Sequence, residues 1–231
     1  MDLIKKTRDD YNKIAKHFAK TRRHSWPEFS EFSAFFKSGQ RVLDWGCGSG
    51  RLVMFLEGKK VEYFGVDQSI ELIKIARRLY AKEVKAGQAH FYSSANKPKK
   101  FPKNYFDVAC LIASFFHLPD EATRLALLNQ IHGELKPGGK LVLIVWNLES
   151  DWAKTKAKTD WEKIGPNDFL IPWKNPQGKI EAMRYYHHFT QSELQMLLEE
   201  SYFRIDKIGY GGRVWSDHKV VRNLIVIASK K

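Results

Sequence analysis

A glycine-rich turn between an apolar strand and a helix constrains this chain more than any other feature. The strand covers residues 41–44, and the turn then places glycines at Gly46, Gly48 and Gly50. Glycine allows a sharp backbone bend and a close approach to a ligand, because it has no Cβ atom. The next apolar segment ends at Asp67, whose carboxylate can accept hydrogen bonds from both hydroxyls of a ribose. The pattern therefore predicts a nucleoside-binding site in an α/β fold.

Predicted strands and helices alternate after this turn, as they do in a doubly wound parallel sheet. The run 106–113 is apolar almost throughout, which is typical of a central parallel strand covered on both faces. Thr190 and Glu193 form a capping box that predicts a late helix. The other predicted strands cover 61–66, 90–92, 141–146, 202–208 and 222–228, with a turn at 136–139. The length of 231 residues suits a single domain spanning 1–231.

Two segments depart from this alternation. In residues 1–38, apolar side chains three and four positions apart predict a helix, and Pro27 opens a second, short one. Residues 149–183 carry several tryptophans and lysines, with helix and strand breakers such as Pro166 and Pro176. We interpret the first segment as a helical lid and the second as an inserted lobe or long loop.

The composition favours a polyanionic partner. The net charge is +13 and the pI is about 9.6, and each phosphate that a protein neutralises releases condensed counterions. A solvated basic surface without a partner is the alternative, and no membrane partner is expected because no basic amphipathic helix stands out. No apolar run reaches the length of a membrane span, and the N-terminus lacks a signal peptide pattern. Because Cys47 and Cys110 both fall in segments predicted to be buried, we expect a reduced cytoplasmic protein without disulfides.

A dinucleotide-binding dehydrogenase is the rival interpretation of the glycine turn. Its fingerprint is G-x-G-x-x-G, whereas here the third glycine comes one residue early and Asp44 precedes the first glycine. This form resembles motif I of class I S-adenosylmethionine-dependent methyltransferases, and Asp67, Phe106-Asp107 and the segment 135–139 match further motifs of that family. The resemblance implies a Rossmann-like, seven-stranded, mostly parallel sheet of order 3-2-1-4-5-7-6, with strand 7 antiparallel and the insertion after strand 5.

The same resemblance implies S-adenosylmethionine as the cofactor and assigns residues to it. Ser94, Ala95 or Asn96 would lie at the adenine, where the family often has an acid and this chain has none. From the lid, Arg22 would bind the carboxylate of the cofactor, with Tyr11 packing nearby. The remaining cofactor-binding candidates, from the ends of the first, second and fourth strands, are Asp44, Gly46, Cys47, Gly48, Gly50, Asp67, Gln68 and Ile112.

Motifs outside the sheet narrow the substrate. The segments 11–18, 145–147, 171–173, 184–187 and 223–229 resemble the eukaryotic tRNA wobble-uridine carboxymethyl methyltransferases. The resemblance implies methyl ester formation on the carboxylate of 5-carboxymethyluridine in the anticodon stem-loop of tRNA, and a small zinc-binding activator protein as a partner. This chain departs from the family in lacking a long insertion before 185–187 and in keeping one of two paired histidines after strand 4.

A carboxylate acceptor is already ionised at neutral pH, so its methylation requires alignment and desolvation rather than a general base. Because an arginine or a histidine can hold such an acid, Arg184, His187 and His117 are the catalytic candidates. The alternative role for His117 is to cap a helix or satisfy a backbone carbonyl. If the tyrosines at 185–186 alternate on a strand, one of them belongs to the core. The adjacent histidines at 187–188 lack suitably spaced partners, so no metal site is predicted.

Basic residues are placed for contact with RNA phosphates. They lie after the third strand, in the insertion and in the lid, and they are Lys97, Lys99, Lys100, Lys103, Lys154, Lys156, Lys158, Arg22 and Arg23. Trp152 or Trp161 is a candidate to stack on a splayed base. Other acceptors stay open, namely another tRNA carboxylate such as that of 5-carboxymethoxyuridine, or a small-molecule acid. A non-catalytic RNA-binding protein is a further alternative, which the intact glycine turn and Asp67 disfavour.

Overall fold

Two β-sheets organise the chain, and the computed structural model describes residues 2–24, 26–95, 100–211 and 223–231. The strands are β1 (Arg41–Trp45), β2 (Glu62–Asp67), β3 (Ala89–Ser93), β4 (Phe106–Ile112), β5 (Leu135–Val145), β6 (Glu162–Lys163), β7 (Asp168–Lys174), β8 (Ile180–His187), β9 (Phe203–Gly211) and β10 (Asn223–Lys230). The helices are α1 (Leu3–Lys20), α2 (Arg51–Leu56), α3 (Ile70–Leu79), α4 (Ala81–Lys85), α5 (Glu121–Glu134), α6 (Asp151–Asp160) and α7 (Gln191–Glu200), with 3-10 turns at Pro27–Phe35 and Phe115–His117.

The main sheet confirms the predicted strand order. Its seven strands run β3-β2-β1-β4-β5-β10-β9, so β9 and β10 are the predicted sixth and seventh strands. The strands β1 to β5 are parallel to one another, and β10 is antiparallel to both β5 and β9. The strand order reverses between β1 and β4, and the carboxyl ends of such strands form the crevice where ligands bind in open α/β sheets.

Successive side chains along each strand of the main sheet point to opposite faces and form a hydrophobic core on each side of the sheet. In β1, Val42 and Leu43 are fully buried on opposite sides of the sheet. Leu43 belongs to the cluster that includes α5 and α7, whereas Val42 packs with α2, α3 and the 3-10 turn around Phe29 and Phe32. This double burial explains the nearly continuous apolar run of β4.

The insertion contains more regular structure than the sequence predicts. Its three strands form an antiparallel sheet of order β6-β7-β8, preceded by α6. The breakers at 175–178 occupy the hairpin between β7 and β8, where Gly178 adopts a φ of +82°. The last strand, β8, runs past residue 183 to His187, and Arg184 pairs with Ile171 across the sheet.

Local differences also appear near the main sheet. The predicted turn at 136–139 lies inside β5, because Leu135 pairs with Phe106 and Lys140 pairs with Val108, leaving the segment between them as a bulge. Asp2 caps α1 by accepting a hydrogen bond from the Lys5 backbone N–H. Among the described residues, no helix is both long and apolar enough to cross a membrane.

Candidate active site

One cavity opens at the carboxyl ends of β1, β2 and β4. Helix α1 and strand β8 contribute side chains to its lining together with the glycine turn. The sequence-predicted residues that line it are Tyr11, Arg22, Asp44, Gly46, Cys47, Gly48, Asp67, Gln68, Ile112, His117 and Arg184. The fold therefore brings together most of the cofactor candidates and two of the three catalytic candidates.

The glycine turn has the shape that its sequence predicts. The backbone N–H groups of Gly46 and Cys47 donate to the Val66 carbonyl at 2.7 and 3.1 Å, which folds the turn over the end of β2. Gly46 adopts a φ of +81°, and a Cβ there would stand 2.2 Å from the Ser114 Cβ. Gly50 lies behind the turn instead of lining the cavity, and a Cβ there would stand 2.7 Å from the Tyr80 ring.

Asp67 is held by backbone groups on both sides. Its Oδ2 accepts from the Gly48 N–H and its Oδ1 accepts from the Ser69 N–H, each at 2.8 Å. Burial raises the pKa of this carboxyl, while the two backbone hydrogen bonds act in the opposite direction. Each carboxylate oxygen can accept a second hydrogen bond, so the group retains capacity for a hydroxylated ligand in the cavity.

Asp44 is the second acid of the cavity wall, and it is nearly fully buried. Burial raises its pKa to about 7, although the Tyr63 hydroxyl donates to its Oδ2 at 2.7 Å and opposes the shift; the neighbouring Asp67 raises the pKa further. Burial also raises the pKa of the Cys47 thiol well above its usual range. Cys47 is therefore a packing residue at neutral pH rather than a thiolate nucleophile.

Four arginines line the same cavity, namely Arg8, Arg22, Arg51 and Arg184. Burial lowers the pKa of Arg22, whose guanidinium stacks over the Phe18 ring at 4.5 Å. Arg51, which begins α2, stacks on Trp26, and burial lowers its pKa to about 9, so it keeps its charge at neutral pH. Arg184 is 3% exposed, and no described carboxylate forms a salt bridge with it. An excess of positive charge in a partly dry cavity favours anionic ligand groups.

A chain of hydrogen bonds joins the backbone carbonyl of Tyr185 to the side chain of Arg184 through His117 and Tyr11, and the direction of each bond can be assigned. The carbonyl of Tyr185 can only accept, so His117 donates to it from Nδ1 at 2.6 Å. The Nε2 atom of His117 is then an acceptor, and the Tyr11 hydroxyl donates to it at 2.8 Å. The Tyr11 oxygen in turn accepts from Arg184 Nη1 at 3.3 Å, while Arg184 Nε is buried and has no hydrogen-bond partner among the described residues.

His117 is therefore a neutral acceptor in this wall. Desolvation lowers its pKa to about 3, the bond to the Tyr185 carbonyl opposes the shift, and nearby Arg184 adds to it. In this tautomer His117 orients Tyr11 and has no N–H left to donate to a substrate carboxylate. Of the two adjacent tyrosines, Tyr186 lines the cavity, whereas the Tyr185 hydroxyl points to Asp168.

Several predicted residues lie elsewhere. His187 does not line the cavity, because its Nδ1 contacts Asp168 at 2.8 Å and its Nε2 contacts Glu193 at 2.9 Å. Ser94 and Ala95 are also outside the lining, and the Ala95 carbonyl accepts from Arg8 Nη1 at 2.9 Å. Asn96, Lys97, Lys99 and residue 222 lie outside the described residues, as does the side chain of Trp152.

Other lining residues were not predicted. Ile4, Thr7 and Arg8 precede Tyr11 on one face of α1, so the helical spacing of this face was an available signal. Arg51 directly follows the last glycine of the turn, which is a second available signal. Within the described ranges, no group of three His, Cys, Asp or Glu side chains is placed to hold a metal ion.

The strand order, the glycine turn and Asp67 together define a class I S-adenosylmethionine-dependent methyltransferase. A solved S-adenosylmethionine-dependent methyltransferase from Methanosarcina mazei has the same fold, with a TM-score of 0.68 and 24% identity over 87% of this chain and 96% of that one. The sequence profile described as "Methyltransferase domain" matches residues 17–208. The chain therefore belongs to the methyltransferase domain family, with S-adenosylmethionine as its cofactor.

Two relatives share more of the sequence. The tRNA (carboxymethyluridine(34)-5-O)-methyltransferase of Schizosaccharomyces pombe is 30% identical over 223 residues, which cover 89% of this chain and 91% of that protein. The Arabidopsis thaliana protein of the same name is 29% identical over 174 residues, or 75% of this chain. The matched region spans only 40% of the length of the Arabidopsis relative.

Proposed function

We propose that this protein methylates the carboxylate of 5-carboxymethyluridine at the wobble position of tRNA, forming a methyl ester. The observation that carries the proposal is Arg184, a buried guanidinium in the cavity that forms no salt bridge with a described carboxylate and feels Asp10 only through a longer-range Coulombic attraction. A buried charge without a counterion is costly, so a guanidinium held in this way favours a ligand that brings an anion. The carboxylate of the proposed nucleoside is such an anion, and a guanidinium binds it with matched geometry.

The cavity residues fit S-adenosylmethionine. Asp67 would hold the ribose hydroxyls, Gly48 leaves the loop without a side chain beside it, and Gln68 lies next to it on the lining. Arg22 would bind the cofactor carboxylate, and we add Arg51 as a second cation for the same group. When bound, the cofactor supplies an electrophilic methyl group on a sulfonium.

The residues around Arg184 suit an acceptor that needs no general base. His117 stays neutral and its ring donates away from the cavity, and burial raises the pKa of Tyr186 far above neutrality. Neither group is a base at pH 7, and an ionised carboxylate does not require one. Arg184 would orient one carboxylate oxygen, and the aromatic walls from Tyr11 and Tyr186 would exclude water from it.

The relatives support tRNA as the carrier of this carboxylate. Both relatives are named tRNA (carboxymethyluridine(34)-5-O)-methyltransferases, and the similarity to the Schizosaccharomyces pombe protein extends over most of both chains. The net charge of +13 favours the same kind of substrate. A cytoplasmic location, expected from the two buried cysteines, belongs to the proposal, as does a zinc-binding activator protein, which the sequence resemblance implies.

The test offers labelled S-adenosylmethionine and three tRNAs that differ only at the wobble base. The bases are 5-carboxymethyluridine, 5-carboxymethoxyuridine and unmodified uridine, and each reaction is run with and without a small zinc-binding activator protein. Nucleoside mass spectrometry should find a base-labile methyl ester on the first tRNA only. An ester restricted to the second tRNA would support the alternative acceptor. No transfer to any of them, with S-adenosylhomocysteine still bound by the protein, would overturn the tRNA proposal.

A further inference from the structure

Helix α1 is joined to the cofactor side of the cavity through the side chain of Asn12. Its Oδ1 accepts from the Ser69 hydroxyl at 2.8 Å and from the Glu71 backbone N–H at 3.3 Å. Ser69 is the N-cap of α3 and Glu71 lies in its first turn, so both partners belong to the start of the helix that follows Asp67. One amide oxygen therefore connects α1 to the element that begins directly after the ribose-binding acid.

Ser69 extends this connection to Asp67. It is fully buried, its backbone N–H donates to Asp67 Oδ1 at 2.8 Å, and its Oγ accepts from the Leu72 N–H at 3.2 Å. A serine hydroxyl carries a single proton. Because Asn12 accepts that proton, the Oγ lone pair is turned toward Leu72 and the α3 cap is held in place. The Gly48 N–H fixes the other oxygen of Asp67.

The preceding residue of α1 faces a different part of the cavity lining. Tyr11 donates to His117 and accepts from Arg184, so adjacent residues of one helix contact the cofactor wall and the β8 wall. Lys6 adds a further contact from α1 to the Met183 carbonyl of β8, at 2.5 Å. A helix held at both walls can move only if one of these sets of hydrogen bonds breaks.

We propose that Asn12 is a positioning residue for the cofactor. By holding Ser69, it keeps Asp67 in the orientation that accepts the ribose hydroxyls and keeps α1 in place at the cavity. Asn12 acts through Ser69 and makes no reaction step itself. The proposal concerns cofactor binding alone, so it does not depend on which acceptor the protein methylates.

A role limited to docking α1 makes a different prediction. It would lower the unfolding temperature when Asn12 is changed and leave the affinity of the folded protein for S-adenosylhomocysteine unchanged. The positioning role requires the affinity to fall in protein that is still folded. Affinity and unfolding temperature are therefore measured side by side.

The test compares the wild type with Asn12→Leu, Asn12→Ala and Asn12→Asp by calorimetric titration of S-adenosylhomocysteine. Asn12→Leu keeps the approximate size of the side chain and removes the hydrogen-bond acceptor. Asn12→Ala also removes the acceptor, and its smaller side chain provides a second variant if Asn12→Leu does not fold. We expect either variant to bind roughly 5- to 30-fold more weakly, the range for one or two lost hydrogen bonds. Asn12→Asp keeps the acceptor near the N-terminus of α3, where a negative charge is favourable, and should stay within about 3-fold of the wild type.

Two further variants complete the experiment. Lys13→Ala changes the exposed neighbour of Asn12 on α1 and should leave the affinity unchanged. Ser69→Ala should weaken binding, and its combination with Asn12→Ala should add little, because both changes break one chain of hydrogen bonds. Wild-type affinity in Asn12→Ala, an Asn12→Asp variant as weak as Asn12→Ala, or full additivity with Ser69→Ala would each overturn the proposal.

Discussion

Arg184 and Asp44 place opposite charges in the wall of one cavity, and neither forms an ion pair with a described side chain. Asp44 receives a hydrogen bond from the Tyr63 hydroxyl, and Arg184 donates one long hydrogen bond to Tyr11. Buried charges without counterions lower the stability of a folded protein. We therefore expect both residues to favour ligand binding without stabilising the fold, and each can be tested separately.

Replacing Arg184 tests its proposed role in binding the carboxylate that accepts the methyl group. Arg184→Met keeps the length of the side chain and removes the charge, so we expect kcat/KM for the RNA substrate to fall about 100-fold or more, the size of effect seen when one stabilising donor is lost. The unfolding temperature should change little, because Arg184 forms no salt bridge with a described carboxylate and donates only a long hydrogen bond to Tyr11. Arg184→Lys keeps the charge but not the two-pronged donor geometry, and should lie between the two proteins.

The affinity for S-adenosylhomocysteine is the control for these variants. It should change by less than about 3-fold in both, since the contacts of Arg184 are to Tyr11 and Trp173 rather than to the glycine turn or Asp67. Retention of wild-type kcat/KM in Arg184→Met would remove the main support for a carboxylate acceptor.

Asp44 predicts a pH dependence of cofactor binding. Its pKa of about 7 means that the carboxyl is largely protonated in mildly acidic solution and ionised above neutrality. A positively charged cofactor favours the ionised form, so affinity should increase as the pH rises through about 7 and binding below that pH should release a proton. Titration calorimetry in buffers of different ionisation enthalpy measures both effects. A wild-type affinity that does not change across neutrality would contradict this role of Asp44.

The same residue predicts a stability effect of the opposite sign. The folded-state pKa of Asp44 lies above its unfolded value, so its contribution to stability is complete at acidic pH and is lost as the pH rises through about 7. Asp44→Asn removes this loss, because the amide is neutral and can still accept from Tyr63. Its unfolding temperature should exceed that of the wild type above pH 7, whereas its cofactor affinity should be weaker and independent of pH around neutrality.

The hydrogen-bond partners of His187 could not be predicted from the sequence. The motif 184–187 indicated a substrate contact, but the His187 ring is occupied by Asp168 and Glu193. Asp168 is the cross-strand partner of His187 in a sheet that the sequence did not predict. Glycines and acids at strand ends were predictable, because their positions follow from the local chain. The contact of His187 with Asp168 depends on strand pairing over 19 residues of separation, and its contact with Glu193 depends on how α7 packs against β8.

The two sheets differ in how clearly their sequences specify them. The central strands of the main sheet, β1, β4, β5 and β10, are buried on both faces, whereas the edge strand β9 is largely exposed. The apolar runs of the central strands, with the help of the family resemblance, allowed the strand order and direction to be predicted. In the insertion, β6 has only two residues, both exposed, and β7 is half-exposed and contains Pro172, whereas most of β8 is buried. The patterns of β6 and β7 resemble those of a loop, although β8 carries Arg184 and Tyr186 into the cavity.

A buried polar cluster fastens this second sheet to the helices. Glu193 of α7 contacts His187 at 2.9 Å and Arg124 of α5 at 3.1 Å, and Arg124 is nearly fully buried. Glu193→Gln should lower the free energy of unfolding by about 2–4 kcal/mol, because it leaves Arg124 without its counterion. Urea denaturation measures the change, with Glu200→Gln on the exposed side of the same helix as the matched control. Equal midpoints for the two variants would show that the cluster adds nothing to the attachment.

The charge of the whole molecule predicts a steep salt dependence of RNA binding. With a net charge of +13, log Kd should rise linearly with log salt, by about 0.7–0.9 per phosphate contacted. Lys154 and Lys158 are exposed on one face of α6, whereas Lys156 lies on another. Changing Lys154 and Lys158 together to Glu should reduce this slope by roughly 1–2 units if α6 contacts RNA.

Filter binding of tRNA at several salt concentrations gives the slopes directly. Lys156→Glu is the comparison from the other face of α6 and should have the smaller effect. A salt-independent affinity in the wild type would argue for a small-molecule acceptor instead of a nucleic acid.

The wall that carries Arg184 comes from one uninterrupted stretch of chain. Residues 149–187 leave the main sheet after β5 and return to it through α7, so none of their strands interrupts the seven that hold the glycine turn and Asp67. In evolutionary terms, this arrangement allows one gene segment to be lengthened, shortened or exchanged while the methyl-donor half is inherited intact. Descendants of one ancestral enzyme could in this way acquire new acceptors by changing fewer than forty consecutive codons.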